Sequence, residues 1–324
     1  VECQLGISFS NQIRKGGNMG KHKNNRIKKW VICLVGALAL AACTYHTPDE
    51  DWEKNGRVRL LLDWQTRAQP SVMTYHFYKD GTGSPVVRRG DAWGYEGTLP
   101  AGYYKVVVCN TDCENVLLET ENGYDGACGR ARQVSSLKSS SVLIAQPGNL
   151  YSTGCEQIDI GGEEIAVREL SPASLVRRLE LNIKITSGET GEVVQCEKLT
   201  GRLTGLSPGV YLSSGKPFSS TSAFMVFESE LTSSGVYTTI QNLFSLPEKD
   251  AGSSPICLLL DMELADGKEV STSIDITEEI GKAFIENTFS VILDLTVKYD
   301  EINGLTVLLA EWKKGNEGSG VVDP

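Results

Sequence analysis

The segment RLELNIKI, residues 178–185, indicates the fold class of this chain. Its leucine and isoleucine residues alternate strictly with charged or amide side chains. Successive side chains of a β-strand point to opposite faces, so this pattern predicts a strand with one apolar and one polar face. A helix would instead repeat its apolar residues every three to four positions. We therefore predict a strand whose apolar face packs against a second sheet.

The same alternation recurs on both sides of this segment, in RVRLLLDW (57–64), MTYHFY (73–78), YYKVVV (103–108) and residues 256–264, 270–276 and 289–297. Asp80-Gly81 and Asp266-Gly267 predict turns, and at the second site a type I′ hairpin in which both central residues have positive φ. One helix is predicted, from Thr277 to Asn287, with Thr277 as its N-cap. Many strands and one short helix predict an all-β chain of β-sandwiches.

The chain has an apolar run near its start, from Trp30 to Ala42, which is thirteen residues long. A helix that crosses a bilayer needs about 20 residues, so the run is too short to span a membrane. It follows a basic segment, Lys21 to Lys29, which is the order found in secretory signals. Leu40-Ala41-Ala42-Cys43 resembles the lipobox of bacterial lipoproteins. We expect a lipoprotein signal peptide at 19–42 and diacylation, including palmitate, on Cys43.

The signal begins unusually far into the chain, and Met19 would start a signal of normal length. Just before it lies Arg14-Lys15-Gly16-Gly17, which purine-rich codons of a ribosome-binding site can encode. Our hypothesis is that residues 1–18 come from an over-extended gene start.

Charge limits the partners of the exported chain. Of 31 basic and 41 acidic residues, seven basic and one acidic lie in residues 1–30, which leaves 24 against 40 and a net charge of −16. Such a chain repels phosphate backbones and anionic membrane surfaces, so nucleic acid is not an expected partner. The length after Ala42 suits two domains. The expected divisions are a tether at 43–56, an N-terminal sandwich at 57–172, a C-terminal sandwich at 173–315 and a tail at 316–324.

One short motif suggests an enzyme, since Gly205-Leu-Ser-Pro-Gly209 matches the G-x-S-x-G of hydrolases. The residue after that serine must donate its backbone N–H to an oxyanion, and Pro208 has none. No histidine follows His76 to complete a triad. We expect a turn at this site, and no enzyme.

Six cysteines follow the lipid cysteine, and they allow many disulfide pairings, none of which the sequence selects. Cys109 and Cys113 form the one close pair. A zinc site there would need further ligands, and neither His46 nor His76 is near in sequence. We therefore expect no metal and no cofactor other than the covalent lipid.

The tripeptide Arg89-Gly90-Asp91 has two interpretations. On an exposed loop, an RGD sequence can bind integrins of a host surface. It can equally be a turn in which Gly90 supplies conformational freedom.

The order of segments carries a resemblance to a known family. After the lipobox come VRLLLDWQTRAQPSVMTYHFYKDG (58–81), LPAGYYKVVVCNTDCENV (99–116), LTGLSPGVYLSSGKPF (203–218) and a closing strand with Trp312. In the order of these segments and in their residue types, the chain resembles Bacteroidales lipoproteins related to fimbrial anchor and accessory subunits. These belong to the group of type V pili and fimbrillin-like domains.

The resemblance implies two tandem transthyretin-like β-sandwiches, held by lipid at the outer membrane and exposed at the cell surface. It implies an anchor, accessory or tip subunit that joins pilin subunits by β-strand addition. Stalk subunits of this kind lose an N-terminal strand by cleavage after an arginine, and whether Arg57 or Arg59 is cut stays open. The alternative is a glycan-binding lipoprotein of a polysaccharide-uptake system, which needs an exposed aromatic platform; Trp52, Trp64 and Trp93 are the candidates in the first half.

Overall fold

The computed structural model describes residues 55–64, 69–135, 141–162, 164–219, 222–244, 255–285, 289–300 and 304–314. The expected signal peptide, Cys43, Trp52 and the tail at 316–324 lie outside these residues. Within them, every helix is too short or too polar to cross a bilayer.

The first half contains strands β1 (Asn55–Leu62), β2 (Val72–Lys79), β3 (Val86–Asp91), β4 (Gly94–Pro100), β5 (Gly102–Cys109), β6 (Val116–Glu119), β7 (Cys128–Ala131), β8 (Gln133–Ser135), β9 (Val142–Ile144), β10 (Tyr151–Ile160) and β11 (Ala166–Leu170). The second half contains β12 (Ala173–Ser174), β13 (Val176–Ser187), β14 (Cys196–Leu206), β15 (Gly209–Tyr211), β16 (Ala223–Glu228), β17 (Glu230–Leu231), β18 (Val236–Phe244), β19 (Cys257–Leu264), β20 (Glu269–Asp275), helix α1 (Thr277–Ile285), β21 (Ser290–Asp300) and β22 (Gly304–Lys314). The predicted all-β class with one short helix is confirmed.

Two sheets of the first half enclose one apolar core. The sheet β11-β1-β4 packs on the sheet β12-β10-β5-β2-β3, and the core between them includes Val58, Leu60, Phe77 and Val106. In β1 the predicted alternation is confirmed, because Val58, Leu60 and Leu62 are buried while their neighbours are exposed or half-buried.

Strand β2 departs from the expected alternation, because Thr74, His76 and Tyr78 are buried as well as the apolar residues between them. The second face of this sheet is covered by chain that comes later in the sequence. Tyr78, for example, contacts the ring of Tyr124 with centroids 6.3 Å apart. A strand buried on both faces cannot show a period of two in exposure.

The second half has its core between β17-β18-β13-β21-β22 and β20-β19-β14-β16-β9-β8. The segment 178–185 lies in β13, and all four of its apolar side chains are fully buried. β13 pairs antiparallel with β18 and parallel with β21. β1 has the same arrangement, antiparallel with β4 and parallel with β11. The first long strand of each half is therefore central in its sheet.

Short strands connect the two halves. β9 pairs in parallel with β16, and β7 pairs with β15. Segments from the expected first domain thus complete sheets of the expected second one, and the boundary at residue 172 stays a prediction.

Two local predictions need correction. The hairpin at Asp266-Gly267 is confirmed, but only Gly267 has positive φ, at 79°, so the turn is not type I′. The Asp266 carboxylate instead accepts the amide of Lys268, which ties the aspartate into a different turn. In α1 the amide of Thr277 donates to Asp275. The capping oxygen is therefore that of Asp275, while the Thr277 hydroxyl accepts the amide of Ile256.

Candidate functional site

Strand β1 forms backbone hydrogen bonds with a neighbouring strand on each side. It pairs with β4 over Asn55–Leu61 and with β11 over Val58–Leu62. Its side chains Val58 and Leu60 are 0% exposed. The chain's own first strand is therefore paired on both sides and buried on one face.

Arg57 and Arg59 lie on the outer face of β1 and share one partner. Arg59 Nε donates to a carboxylate oxygen of Glu96 at 2.8 Å, and Arg57 Nη2 donates to the other at 3.2 Å. The hydrogen bond from Arg59 lowers the pKa of Glu96. The peptide bonds that follow both arginines lie within the β1–β4 ladder. Both of these peptide bonds are thus part of a paired strand.

The outermost strands β3 and β11 share a feature that hinders strand addition. In each, an arginine donates to the carbonyl of the valine before it: Arg88 to Val87 at 3.0 Å, and Arg168 to Val167 at 2.9 Å. A carbonyl that is occupied by a guanidinium, beside a charged side chain, is a poor template for a new strand. β17 and β22 are the two outermost strands of the sheet that contains β13.

The RGD tripeptide ends β3 and is not part of a free loop. The Asp91 carboxylate accepts the amides of Trp93 at 2.8 Å and Gly94 at 3.0 Å, which closes the turn into β4. A Cβ on Gly90 would lie 2.5 Å from the carbonyl oxygen of Gly94. These contacts give Gly90 and Asp91 structural roles. Arg89 is exposed, and integrin binding stays a prediction.

The tryptophans considered for an aromatic platform differ in exposure. Trp93 is 68% exposed at the tip of the turn. Trp64 is half-buried, donates its indole N–H to the Ala92 carbonyl at 2.5 Å, and meets Tyr151 edge to face at 5.5 Å. Of the two candidate tryptophans in the described residues, only Trp93 has a ring that is largely exposed to solvent.

The G-x-S-x-G motif forms the connection between β14 and β15, as predicted. The Ser207 hydroxyl is buried, 2.7 Å from the carbonyl oxygen of Gly209 and 3.2 Å from that of Phe218. Its proton is directed at backbone carbonyls. This environment is that of a structural serine.

The six cysteines of the described chain are all free thiols. Burial raises the pKa of Cys109 to about 12 and lowers that of His76 to about 4, with Sγ and Nε2 3.8 Å apart. At neutral pH the pair is a thiol beside a neutral imidazole, so the sulfur is not an activated nucleophile. Within the described residues, no three side chains of the metal-binding types converge.

A polar cleft with a volume of about 520 Å³ opens where the loops after β5 and before β10 approach β18. Asn110 supports it and is 2% exposed. Its Nδ2 donates to Asp112 at 2.8 Å and to the carbonyl of Asn149 at 2.9 Å, and its Oδ1 accepts the amide of Tyr151 at 2.7 Å. Asn115 adds a bond from Nδ2 to the carbonyl of Gln146 at 3.2 Å.

Sequence reasoning did not find this cleft. Its one local signal is the mostly polar run NTDCEN (110–115), which directly follows Cys109 at the end of β5. The other lining residues lie far away in the sequence.

Comparison with known proteins places the chain in a family. Residues 42–228 match DUF5119, a domain of unknown function. The chain belongs to this family. A relative of this DUF5119 protein in Bacteroides ovatus, "Putative fimbrium anchoring subunit Fim4B", is 24% identical over 274 residues, which cover 78% of this chain and 79% of the relative.

Solved structures share the fold of the DUF5119 chain. One is a "putative adhesin" from Bacteroides ovatus, with a TM-score of 0.57 and 22% identity over 74% of this chain and 89% of that one. Another is the fimbrial anchor protein Mfa2 from Porphyromonas gingivalis, with a TM-score of 0.52 and 11% identity over 74% and 91%. The predicted resemblance to fimbrial anchor and accessory proteins is confirmed by these matches.

Proposed function

We propose that this DUF5119 chain is a non-enzymatic cell-surface lipoprotein that anchors a fimbria or serves as its accessory subunit, joined to pilin subunits by β-strand addition. The name of the Bacteroides ovatus relative and the shared fold support this function. The observation that carries the anchor role is the central position of β1 between β4 and β11.

The retained strand distinguishes an anchor from a stalk subunit. By the resemblance, a stalk subunit loses its first strand to make room for a donated one. Removing β1 here would take Val58, Leu60 and Leu62 out of the core, where their burial contributes about 5–9 kcal/mol in total. An anchor has no need to accept a strand at this position, since it keeps its own.

Strand addition needs a sheet edge with unpaired N–H and C=O groups. The edges β3 and β11 have carbonyls that arginine side chains occupy. β22 is an outermost strand of eleven residues, Gly304–Lys314, and is long enough for an extended ladder. We assign the subunit contact to the sheet that contains β22.

Cleavage by an arginine-specific protease tests the retained strand. In the folded chain the Arg57–Val58 and Arg59–Leu60 bonds are expected to resist cleavage, because a protease binds its substrate as an extended strand and β1 is already paired. The urea-unfolded chain should be cut at both. Glu96→Gln removes the ion pair but leaves the ladder, so it should resist as well. Rapid cleavage of the folded chain at either bond would contradict the anchor role.

The lipid at Cys43 is tested in the producing bacterium. Cys43→Ser should abolish incorporation of labelled palmitate, and an anchor without lipid should release fimbriae into the medium. Fimbriae that stay on the cells would argue against anchoring. Purification from intact outer membranes should recover pilin-like subunits; recovery of a glycan transporter instead would favour the polysaccharide-uptake alternative.

A further inference from the structure

We propose that the polar cleft between the β5–β6 and β9–β10 loops binds a neutral carbohydrate, a short oligosaccharide. This binding site is independent of the fimbrial role, because it rests on the chemistry of the cleft alone. Its volume of about 520 Å³ lies within the range of small-molecule sites.

The cleft offers hydrogen-bonding groups that the protein does not use. Gln146, Asn149 and Asn242 line it with half-buried side chains. Within the described chain their side-chain amides form no hydrogen bond, although the backbone carbonyls of Gln146 and Asn149 do. These half-buried amides remain available to bind water, or a ligand that replaces that water.

The types of side chain select the ligand class. An amide presents a donor and an acceptor in one plane, and the carboxylates of Asp112 and Glu114 add further acceptors. Neighbouring hydroxyls of a sugar each donate and accept, which matches such a lining. The carboxylates of Asp112 and Glu114 repel a phosphate or an anionic sugar, which favours a neutral ligand.

Two other ligand classes fit less well. An apolar ligand needs a mostly apolar wall, whereas eight of the twelve residues that line this cleft have amide or carboxylate side chains. A peptide that binds as a strand needs an exposed sheet edge, whereas loops form most of this cleft.

The loops are held in place before any ligand binds. Two of the three hydrogen bonds of the Asn110 side chain join the start of one loop to the end of the other, and Asn115 joins the loops a second time. Pre-organised groups lose little freedom when a ligand binds, which favours affinity.

The probe is a panel of neutral oligosaccharides with different linkages and sugar types, arrayed on a surface and then titrated by calorimetry. The full-length protein in detergent is tested with Gln146→Ala, Asn242→Ala and the control Gln157→Ala, an exposed glutamine that is not part of the cleft. We expect at least one neutral oligosaccharide to bind. Each cleft variant should weaken its binding about fivefold or more, the loss of one hydrogen bond, and Gln157→Ala should not.

Three results would overturn the proposal. The first is that no neutral oligosaccharide of the panel binds. The second is binding that Gln146→Ala and Asn242→Ala leave unchanged, including binding that only Trp93→Ala removes, because the site would then lie at the β3–β4 turn. The third is preferential binding of an anionic oligosaccharide in the same assay.

Discussion

Replacement of Asn110 by alanine tests how the two loops of the cleft are held together. The side chain is 2% exposed and makes three hydrogen bonds, to Asp112, to the Asn149 carbonyl and from the Tyr151 amide. Each contributes about 1 kcal/mol net, and the substitution also leaves the two backbone groups without this partner. We expect Asn110→Ala to lower the free energy of unfolding by about 3 kcal/mol.

Urea titration followed by tryptophan fluorescence measures this loss, and Trp64 reports on the region because its ring contacts Tyr151. Asn242→Ala is the matched control, since it is the same substitution in the same cleft at a side chain with no hydrogen bond within the described protein. Its free energy of unfolding should stay within about 0.5 kcal/mol of the parent.

The reasoning is refuted if Asn110→Ala is as stable as Asn242→Ala. Such a result would mean that water replaces all three bonds without cost and that the loops are held by other contacts. The pre-organisation argued for the carbohydrate site would then lose its basis.

Three further predictions concern the core. Between pH 7 and pH 5 the free energy of unfolding should fall by about 2 kcal/mol, because burial lowers the pKa of His76 to about 4 while the unfolded imidazole titrates near 6.5. This stability is present above pH 6.5 and is lost towards pH 4. Urea unfolding of His76→Leu at both pH values should show no such component. Leu60→Ala should cost about 2–5 kcal/mol in the same assay, against well under half of that for the exposed Leu61→Ala; equal losses would contradict the orientation of β1. Gly94→Ala places a Cβ against the Leu60 carbonyl oxygen, too close for a normal contact, and should lower the melting temperature more than Gly162→Ala, where φ is also positive but the space is open.

Much of the fold follows from local sequence. The alternation in segment 178–185 predicted β13, and that in 57–64 predicted β1, because side-chain orientation in a strand depends only on position along it. The turn at Ser207-Pro208 was also predictable, since proline and glycine restrict the backbone locally.

The candidate sites depended on contacts between distant residues. Asn110 bonds to Asn149 and Tyr151, and Asn242 reaches the same cleft from another strand, so the polar run at 110–115 could not by itself reveal the cleft. The burial of His76 was missed for the same reason, because later chain covers the second face of β2.

The sequence by itself determined that this is an all-β chain with apolar strand faces, and it predicts the export signal and the lipid at Cys43. Only the tertiary structure decided that β1 is central in its sheet, that an arginine occupies a carbonyl on each of two edge strands, and that a polar cleft forms between loops. The physical reason is that strand periodicity is a property of neighbouring residues. Pairing, register and cavities arise from the burial of surfaces that the chain brings together over long separations.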